Sequence, residues 1–177
     1  MFATVYLPNF YLQAAMRHQP GLCAKPVALI EEQEKNPVVI QLNEAAEKAG
    51  ICKGMTPSQA LARSLQVVIK VRARTHEKSI QEMLLHYAFT LSPFVEATAP
   101  GICTVQFTDH RHLKAKVARV IEQLAKSEIW GQAGIAVTPD ISFLAAHLAR
   151  PVLQIESTKE FLAHLPIEVL ETVSYDF

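Results

Sequence analysis

The residues best suited to chemistry form one short cluster, Asp109-His110-Arg111-His112. Two histidines separated by one residue, beside a carboxylate, can bind a transition metal. The cluster also follows a predicted strand and precedes a predicted helix, where an aspartate commonly caps the first turn. We therefore interpret Asp109 as an N-cap and the histidines as solvated, and we predict neither a metal site nor a cofactor.

A second candidate site is a basic stripe formed by Lys70, Arg72 and Arg74. Alternate residues of a strand share one face, so three cations at this spacing could contact template phosphates. The same pattern also occurs on solvated strand edges, where charge prevents the addition of another strand. The residues leave both interpretations open, and weak DNA binding by this stripe is one of our predictions.

Composition limits the class of protein. The chain has 177 residues, half of them hydrophobic, with 17 basic and 17 acidic side chains and a formal net charge of zero. This favours a folded globular chain and argues against a strongly basic nucleic-acid-binding module. No apolar run could span a bilayer, and three widely spaced cysteines favour reduced thiols. We expect no membrane association, and a cytoplasmic protein that joins the nucleoid when it is engaged on DNA.

Hydrophobic periodicity and capping signals predict an α+β order of elements, with helices packed on one face of a sheet. Asn43 and Thr56-Pro57 are the clearest helix starts, and Pro100-Gly101 is a turn between two strands. The predicted strands are 3–7, 27–30, 38–42, 67–71, 95–98, 102–107 and 132–137, and the predicted helices are 10–17, 44–49, 57–63, 75–92, 113–127 and 141–150.

Residues 95–108, Val-Glu-Ala-Thr-Ala-Pro-Gly-Ile-Cys-Thr-Val-Gln-Phe-Thr, resemble the palm hairpin of the Y-family (translesion) DNA polymerases, V-E-x-x-S-I-D-E-A-x-L-D-V-T. Gly101 and Ile102 stand where that family has adjacent Asp and Glu, and Gln106 replaces a further Asp. The opening residues 5–11, Val-Tyr-Leu-Pro-Asn-Phe-Tyr, resemble the family's D-M-D-C-F-F strand. Tyr6 and Pro8 then occupy its acidic positions. The resemblance implies a palm without its metal-binding carboxylates.

Two further blocks resemble the same family. Residues 43–61 are similar to the fingers pattern Y-E-A-R-x-x-G-V…G-M-x-x-x-x-A, with Glu44 and Glu47 in place of the Tyr and Arg that grip the triphosphate. Residues 134–149 resemble G-I-A-x-N-K-x-L-A-K-x-A, with Pro139 in place of a phosphate-contacting Lys. The implied fold is a ferredoxin-like palm with an inserted small fingers lobe, an incomplete Y-family core. We assign 1–20 and 73–164 to the palm, 21–72 to the fingers and 165–177 to the start of a thumb or linker.

Within that family, the loss of the acids and the wording of residues 6–10 and 134–139 resemble the ImuB-type branch. This implies a catalytically inactive scaffold in bacterial DNA repair and damage-induced (SOS) mutagenesis. Its implied partners are a sliding clamp, a RecA-like accessory protein and an error-prone polymerase, engaged through regions outside this chain. Proteins of this branch are longer, so we expect a truncated chain or a shortened relative.

Two alternatives remain open. The first is an active translesion nucleotidyltransferase with displaced acids, for which Glu44, Glu96 and Asp109 are the candidates. The second is a ferredoxin-like interaction or regulatory module of a different class, which the neutral charge favours.

Overall fold

The computed structural model of this protein describes residues 1–31 and 35–166. They form eight strands and seven α-helices, with a short 3-10 helix at Pro20–Leu22. The strands are β1 Phe2–Tyr6, β2 Val27–Ile30, β3 Val39–Leu42, β4 Val68–Val71, β5 Val95–Ala99, β6 Ile102–Gln106, β7 Gln132–Ala136 and β8 Val152–Gln154. The helices are α1 Phe10–Met16, α2 Glu44–Lys48, α3 Pro57–Arg63, α4 Arg74–Phe89, α5 Leu113–Lys126, α6 Pro139–Leu148 and α7 Thr158–Ala163.

The chain divides into two compact units. The five-stranded unit comprises Met1–Pro8 and the described residues from Gln81 onward, and the three-stranded unit is Asn9–Ile80. The division falls inside α4. The predicted borders, after residues 20, 72 and 164, lie elsewhere along the chain, and the assignment of those segments to palm, fingers and thumb stays a prediction. Most of the last predicted segment, 167–177, lies outside the described residues.

The five-stranded unit has the strand order β5-β6-β1-β7-β8. Strand β1 lies between β6 and β7 and pairs antiparallel with both. Strands β5, β6, β1 and β7 therefore have the order and directions of a ferredoxin-like sheet, which confirms that part of the sequence prediction. Strand β8, which adds to β7 in parallel, and the following helix α7 were not predicted.

Helices cover both faces of this sheet, so the prediction of helices on one face is wrong. Side chains alternate between the faces of a strand, which places Thr4 and Tyr6 on one face and Val5 on the other. Helix α6 covers the first face, where Ser142 hydrogen-bonds to Thr4. Helix α5 covers the second face through its buried stripe of Leu113, Val117, Val120, Ile121 and Leu124.

The three-stranded unit has the order β3-β2-β4, with β2 antiparallel to β3 and parallel to β4. The predicted 27–42 hairpin is confirmed, although residues 32–34 of its tip are outside the described part of the chain. Asn43 caps α2 by accepting from the Ala46 amide, and Thr56 forms a reciprocal capping box with Gln59 at α3. Both helix starts agree with the sequence prediction, because each depends only on local residues.

No helix among residues 1–31 and 35–166 is both long enough and apolar enough to cross a membrane.

Gly134 allows α6 to lie directly on the sheet. A Cβ atom at this position would collide with backbone atoms of Ser142, Ala145 and Ala146. Backbone cannot move aside as a flexible side chain can, so only glycine permits this approach. The position of α6 over β7 and β1 depends on this one missing side chain.

Replacing Gly134 with alanine should therefore lower the free energy of unfolding by about 3 kcal/mol or more, because the added methyl must push a helix off the sheet. Urea unfolding followed by circular dichroism measures the loss. Gly21→Ala is the matched control, since a Cβ there meets nothing within 4 Å, and its effect should stay within about 0.5 kcal/mol. Equal unfolding midpoints for the two variants would contradict the proposed contact.

Candidate functional site

The structure brings together three of the five positions that the sequence predicts as degenerate metal sites. Tyr6 at the end of β1 is directly opposite Ile102 at the start of β6. The Leu7 amide donates to the Gly101 carbonyl oxygen over 2.9 Å, which holds the hairpin turn beside the end of β1. Tyr6, Gly101 and Ile102 are therefore neighbours at one end of the sheet.

The turn that carries Gly101 is built from two residues, Pro100 and Gly101, between β5 and β6. Gly101 has a φ of 75°, which lies in the left-handed region and favours glycine. Its amide donates to the Gln81 side-chain oxygen over 2.7 Å, which ties the turn to α4. The Pro100-Gly101 pair therefore fits the backbone conformation of this turn.

An aromatic stack occupies the place where Tyr6 points. The Tyr6 and His147 rings are stacked, with centroids 4.0 Å apart and planes 24° apart, and Phe143 lies 4.6 Å from His147. Tyr6 also belongs to a buried cluster with Ile102 and Ala146 of α6. The α6 face at this end of the sheet is therefore filled by aromatic and aliphatic groups.

A chain of hydroxyl groups crosses the same face, and sequence reasoning missed it. The Thr98 and Thr104 hydroxyls are 2.9 Å apart, Thr104 and Thr4 are 3.2 Å apart, and Thr4 and Ser142 are 2.8 Å apart. The Ser142 hydroxyl then donates to the Pro139 carbonyl oxygen. Each threonine lies on a different strand, and the strand register places Thr4 opposite Thr104. Neither this pairing nor the contact with Ser142 of α6 can be derived from residue spacing in the sequence.

The two remaining degenerate positions, Pro8 and Gln106, are not members of this buried cluster. Pro8 is half-buried after β1, and Gln106 is exposed at the end of β6. Gln106 is opposite Phe2, at the far end of the β1–β6 pair from Tyr6. Neither side chain carries a charge that could hold a cation.

The displaced acids are exposed and separately placed in the structure. Glu96 is opposite Thr104 on the edge strand β5. The Asp109 carboxylate accepts from the Arg111 amide and guanidinium, each over 3.1 Å, and these contacts lower its pKa. Among residues 1–31 and 35–166, no group of three or more His, Cys, Asp and Glu side chains could hold a metal ion.

The prediction that Asp109 caps α5 is wrong. The N-cap residue is His112, with a φ of 55° and no side-chain cap bond. Asp109 instead bonds within its own loop to Arg111, since the Arg111 amide two residues on is closer in the chain than the helix start. A short polar side chain before a helix has this second choice, and the sequence signal does not distinguish the two.

Arg72 of the predicted basic stripe is held inside the three-stranded unit. Its guanidinium donates to both carboxylate oxygens of Glu77, over 2.9 and 2.6 Å, and to Glu31 over 2.9 Å. It also stacks on the Tyr11 ring at 3.8 Å from the centroid. The Glu77 hydrogen bonds raise the pKa of Arg72. Each of the three guanidinium nitrogens of Arg72 therefore already donates to a carboxylate, and the side chain joins Glu31 to Glu77.

Lys70 and Arg74 are more exposed than Arg72. The Lys70 ammonium donates to the Gln19 side-chain oxygen over 2.7 Å, and Arg74 contacts Glu31 at 3.3 Å with 60% of its side chain exposed. Exposed contacts of this kind are weak and exchangeable. DNA contact by Lys70 and Arg74 stays a prediction.

The two acids of the predicted fingers pattern are exposed on the short helix α2. Glu44 forms an i,i+4 ion pair with Lys48 at 2.6 Å, and this hydrogen bond lowers the pKa of Glu44. Glu47 is one turn from Glu44 on the same helix and is also exposed. Both acids stand at the N-terminal turn of α2, where negative charge is stabilised by the helix dipole.

The thiols offer no nucleophile at this site. Cys103 follows Ile102 on β6 and points to the opposite face of the sheet, where burial raises its pKa to about 12. Its thiolate is therefore scarce at neutral pH. Cys23 and Cys52 are exposed in the other unit.

Comparison with known proteins agrees with this fold. The sequence profile of the impB/mucB/samB family matches residues 5–147. DNA polymerase IV of Ralstonia nicotianae is 26% identical over 170 residues, covering 91% of this chain and 48% of the relative. DNA polymerase IV of Actinobacillus pleuropneumoniae (serotype 5b) is 24% identical over 174 residues, covering 93% and 49%. The chain spans about half the length of the curated relatives it matches.

Solved structures give the same result. The insertion ternary complex of Dbh DNA polymerase superposes with a TM-score of 0.82 at 16% identity, covering 95% of this chain and 53% of that one. The DinB structure from Sulfolobus solfataricus gives 0.81 at 16% identity, covering 95% and 52%. The fold is therefore that of the palm and fingers region of a Y-family DNA polymerase. With most of its length matched by the profile, this chain belongs to the impB/mucB/samB family.

Removing the Tyr6 ring should destabilise the protein strongly, because the ring stacks on His147 and its loss would leave a cavity beside α6. Tyr6→Ala should lower the free energy of unfolding by about 3–5 kcal/mol, as truncation of a buried aromatic residue does. Phe94→Ala is the control, since Phe94 is 55% exposed in the same unit, and it should cost less than about 1 kcal/mol. Urea unfolding distinguishes them, and a loss below 1 kcal/mol for Tyr6→Ala would rule out a structural role for the stack.

Arg72→Ala should also be costly, since it leaves Glu77, with 10% of its side chain exposed, without a cation, and Glu31, 17% exposed, with only its longer contact to Arg74. We expect a loss of about 3 kcal/mol in the free energy of unfolding. Arg74→Ala removes a cation that is largely exposed and should cost less than about 1 kcal/mol. Thermal or urea unfolding of both variants checks the difference; similar losses would mean that Arg72 is not the centre of the cluster.

Proposed function

We propose that this chain is a catalytically inactive, ImuB-type member of its family, a polymerase-like scaffold in DNA repair and damage-induced translesion synthesis. The observation that carries the proposal is the stack of Tyr6 on His147 beside Ile102, since the resemblance to the Y-family motifs implies metal-binding acids at positions 6 and 102. A polymerase palm needs carboxylates there, and this chain offers a phenol, a glycine and an isoleucine.

The donor set does not fit the divalent cations that polymerase chemistry requires. Two-metal phosphoryl transfer depends on several carboxylate oxygens that hold both ions a few Å apart. Tyr6, Gly101 and Ile102 supply no carboxylate, and the Phe143 and His147 rings fill the adjoining space on the α6 face. These positions therefore offer no ligand set for a two-metal catalytic centre.

The fingers positions support the same proposal. Glu44 and Glu47 are exposed on α2, where the resemblance to the Y-family fingers pattern implies groups that grip a triphosphate. Carboxylates repel a polyphosphate, and the single Lys48 that pairs with Glu44 offsets only part of this charge. A nucleotide would gain little from binding at this helix.

The role we propose is that of an adaptor. A sliding clamp, a RecA-like accessory protein and an error-prone polymerase would be engaged through regions outside this chain. The contribution of this chain to DNA binding would be weak, through Lys70 and Arg74, since its net charge is zero. Such binding comes from phosphate contacts and should decrease steeply as salt increases.

An active nucleotidyltransferase is the second candidate, because the relatives named above are DNA polymerase IV enzymes. It would need a metal site rebuilt from Glu96, Asp109 and Glu44. Asp109 is already engaged by Arg111, and Lys116 lies 3.7 Å from its other oxygen. An interaction module that does not touch DNA is the remaining alternative.

Primer extension by the full-length protein tests the proposal. We expect no added nucleotide with Mg²⁺ or Mn²⁺, on undamaged or lesion-containing templates, because Tyr6, Gly101 and Ile102 supply no carboxylate to hold the two ions. DNA polymerase IV of Ralstonia nicotianae, prepared in the same way, is the positive control. In the same samples, retention of labelled primer–template at low and high salt measures DNA binding.

Robust extension that is abolished by Glu96→Ala or Asp109→Ala would overturn the proposal and establish a relocated active site. Absence of both extension and DNA binding would instead favour the interaction module over the adaptor on DNA.

A further inference from the structure

A groove of about 470 Å³ lies between α4 and α5 on the five-stranded unit. It is formed by the last turn of α4 with the residues just after it, and by the middle of α5. The floor includes Leu91 and the buried Val120, and Tyr87 forms part of one wall. None of these residues belongs to the positions at the end of the sheet where Tyr6 lies.

The rim of this groove is basic. His86 from α4, and Lys116 and Arg119 from α5, line it, and no Asp or Glu is among the lining residues. Lys116 and Arg119 are three residues apart and therefore share one side of their helix. Because the whole chain has equal numbers of acids and bases, this excess of positive charge is a local property of the groove.

These cations are not neutralised by strong internal partners. Within the described parts of the chain Arg119 makes no ion pair, and Lys116 reaches only the Asp109 carboxylate at 3.7 Å. That contact is long and both side chains are nearly half exposed, so it contributes little. An anionic ligand could displace it at small cost.

We infer that this groove is a docking site for a short acidic segment of a partner protein that carries apolar side chains between its acids. Carboxylates would pair with Lys116 and Arg119, while an apolar side chain would cover Leu91 and Tyr87, which are partly exposed, and remove their surface from water. A nucleic-acid backbone would satisfy the cations but leave the apolar floor exposed. The inference rests on the proposed adaptor role and goes beyond it, because it adds a docking surface on this chain to the partner-binding regions that lie outside it.

Fluorescence anisotropy of a fluorescein-labelled peptide of alternating Asp and Leu, titrated with the full chain, tests this site. Arg119→Glu should weaken binding at least about tenfold, because it places a like charge against the peptide. Lys126→Glu is the matched control, since it makes the same change in net charge on the same helix outside the groove, and it should change binding less than about twofold. Circular dichroism verifies that both variants are folded.

A peptide of alternating Asp and Ser, of the same length, should bind more weakly than the Asp and Leu peptide, since it cannot use the apolar floor. Equal weakening by Arg119→Glu and Lys126→Glu would reduce the effect to overall charge and overturn the inference. Failure of the peptide to bind, or its displacement by single-stranded DNA at lower concentration than by unlabelled peptide, would overturn it as well. Peptide binding is measured without primer extension, so failure here leaves the proposal of inactivity unaffected, and the reverse also holds.

Discussion

The direct contact between α6 and β7 at Gly134 is the constraint on which the five-stranded unit depends. With no side chain at this position, the helix backbone lies against the sheet and its residues fill the space that a larger separation would leave open. The same approach brings the Ser142 hydroxyl to Thr4 and the His147 ring to Tyr6. Gly134 therefore determines which side chains fill the candidate site, although it is not itself one of the site residues.

This constraint explains how the core packs well with uncharged side chains at positions 6 and 102. A carboxylate at position 6 or 102 would need a cation or several donors when buried. Tyrosine and isoleucine need neither, because they pack against His147 and Ala146. The hairpin turn keeps its shape independently, through the left-handed Gly101 and its amide bond to Gln81. Neither the hairpin turn nor the packing against α6 therefore depends on a carboxylate at these positions.

Local signals in the sequence predicted much of the architecture, and long-range ones did not. The caps at Asn43 and Thr56 and the Pro100-Gly101 turn depend on residues within a few positions of each other. The pairing of Tyr6 with Ile102, by contrast, joins residues 96 positions apart and depends on the strand register. The three-residue strand β8 was missed because so short an edge strand has almost no periodicity to detect.

The partners of Arg72 show the other limit. Glu77 is five residues away, but Glu31 is 41 residues away and reaches Arg72 only through the parallel pairing of β2 with β4. From spacing alone Lys70, Arg72 and Arg74 form one basic stripe; in three dimensions their central member is neutralised inside the fold. The groove between α4 and α5 shows the converse, since its lining residues come from two helices that are distant in the sequence and form one surface only when the helices pack. A net charge of zero is therefore a property of the whole chain and does not describe each part of its surface. Whether a basic side chain is available to a ligand depends on the acids beside it, both in the predicted stripe and in the groove.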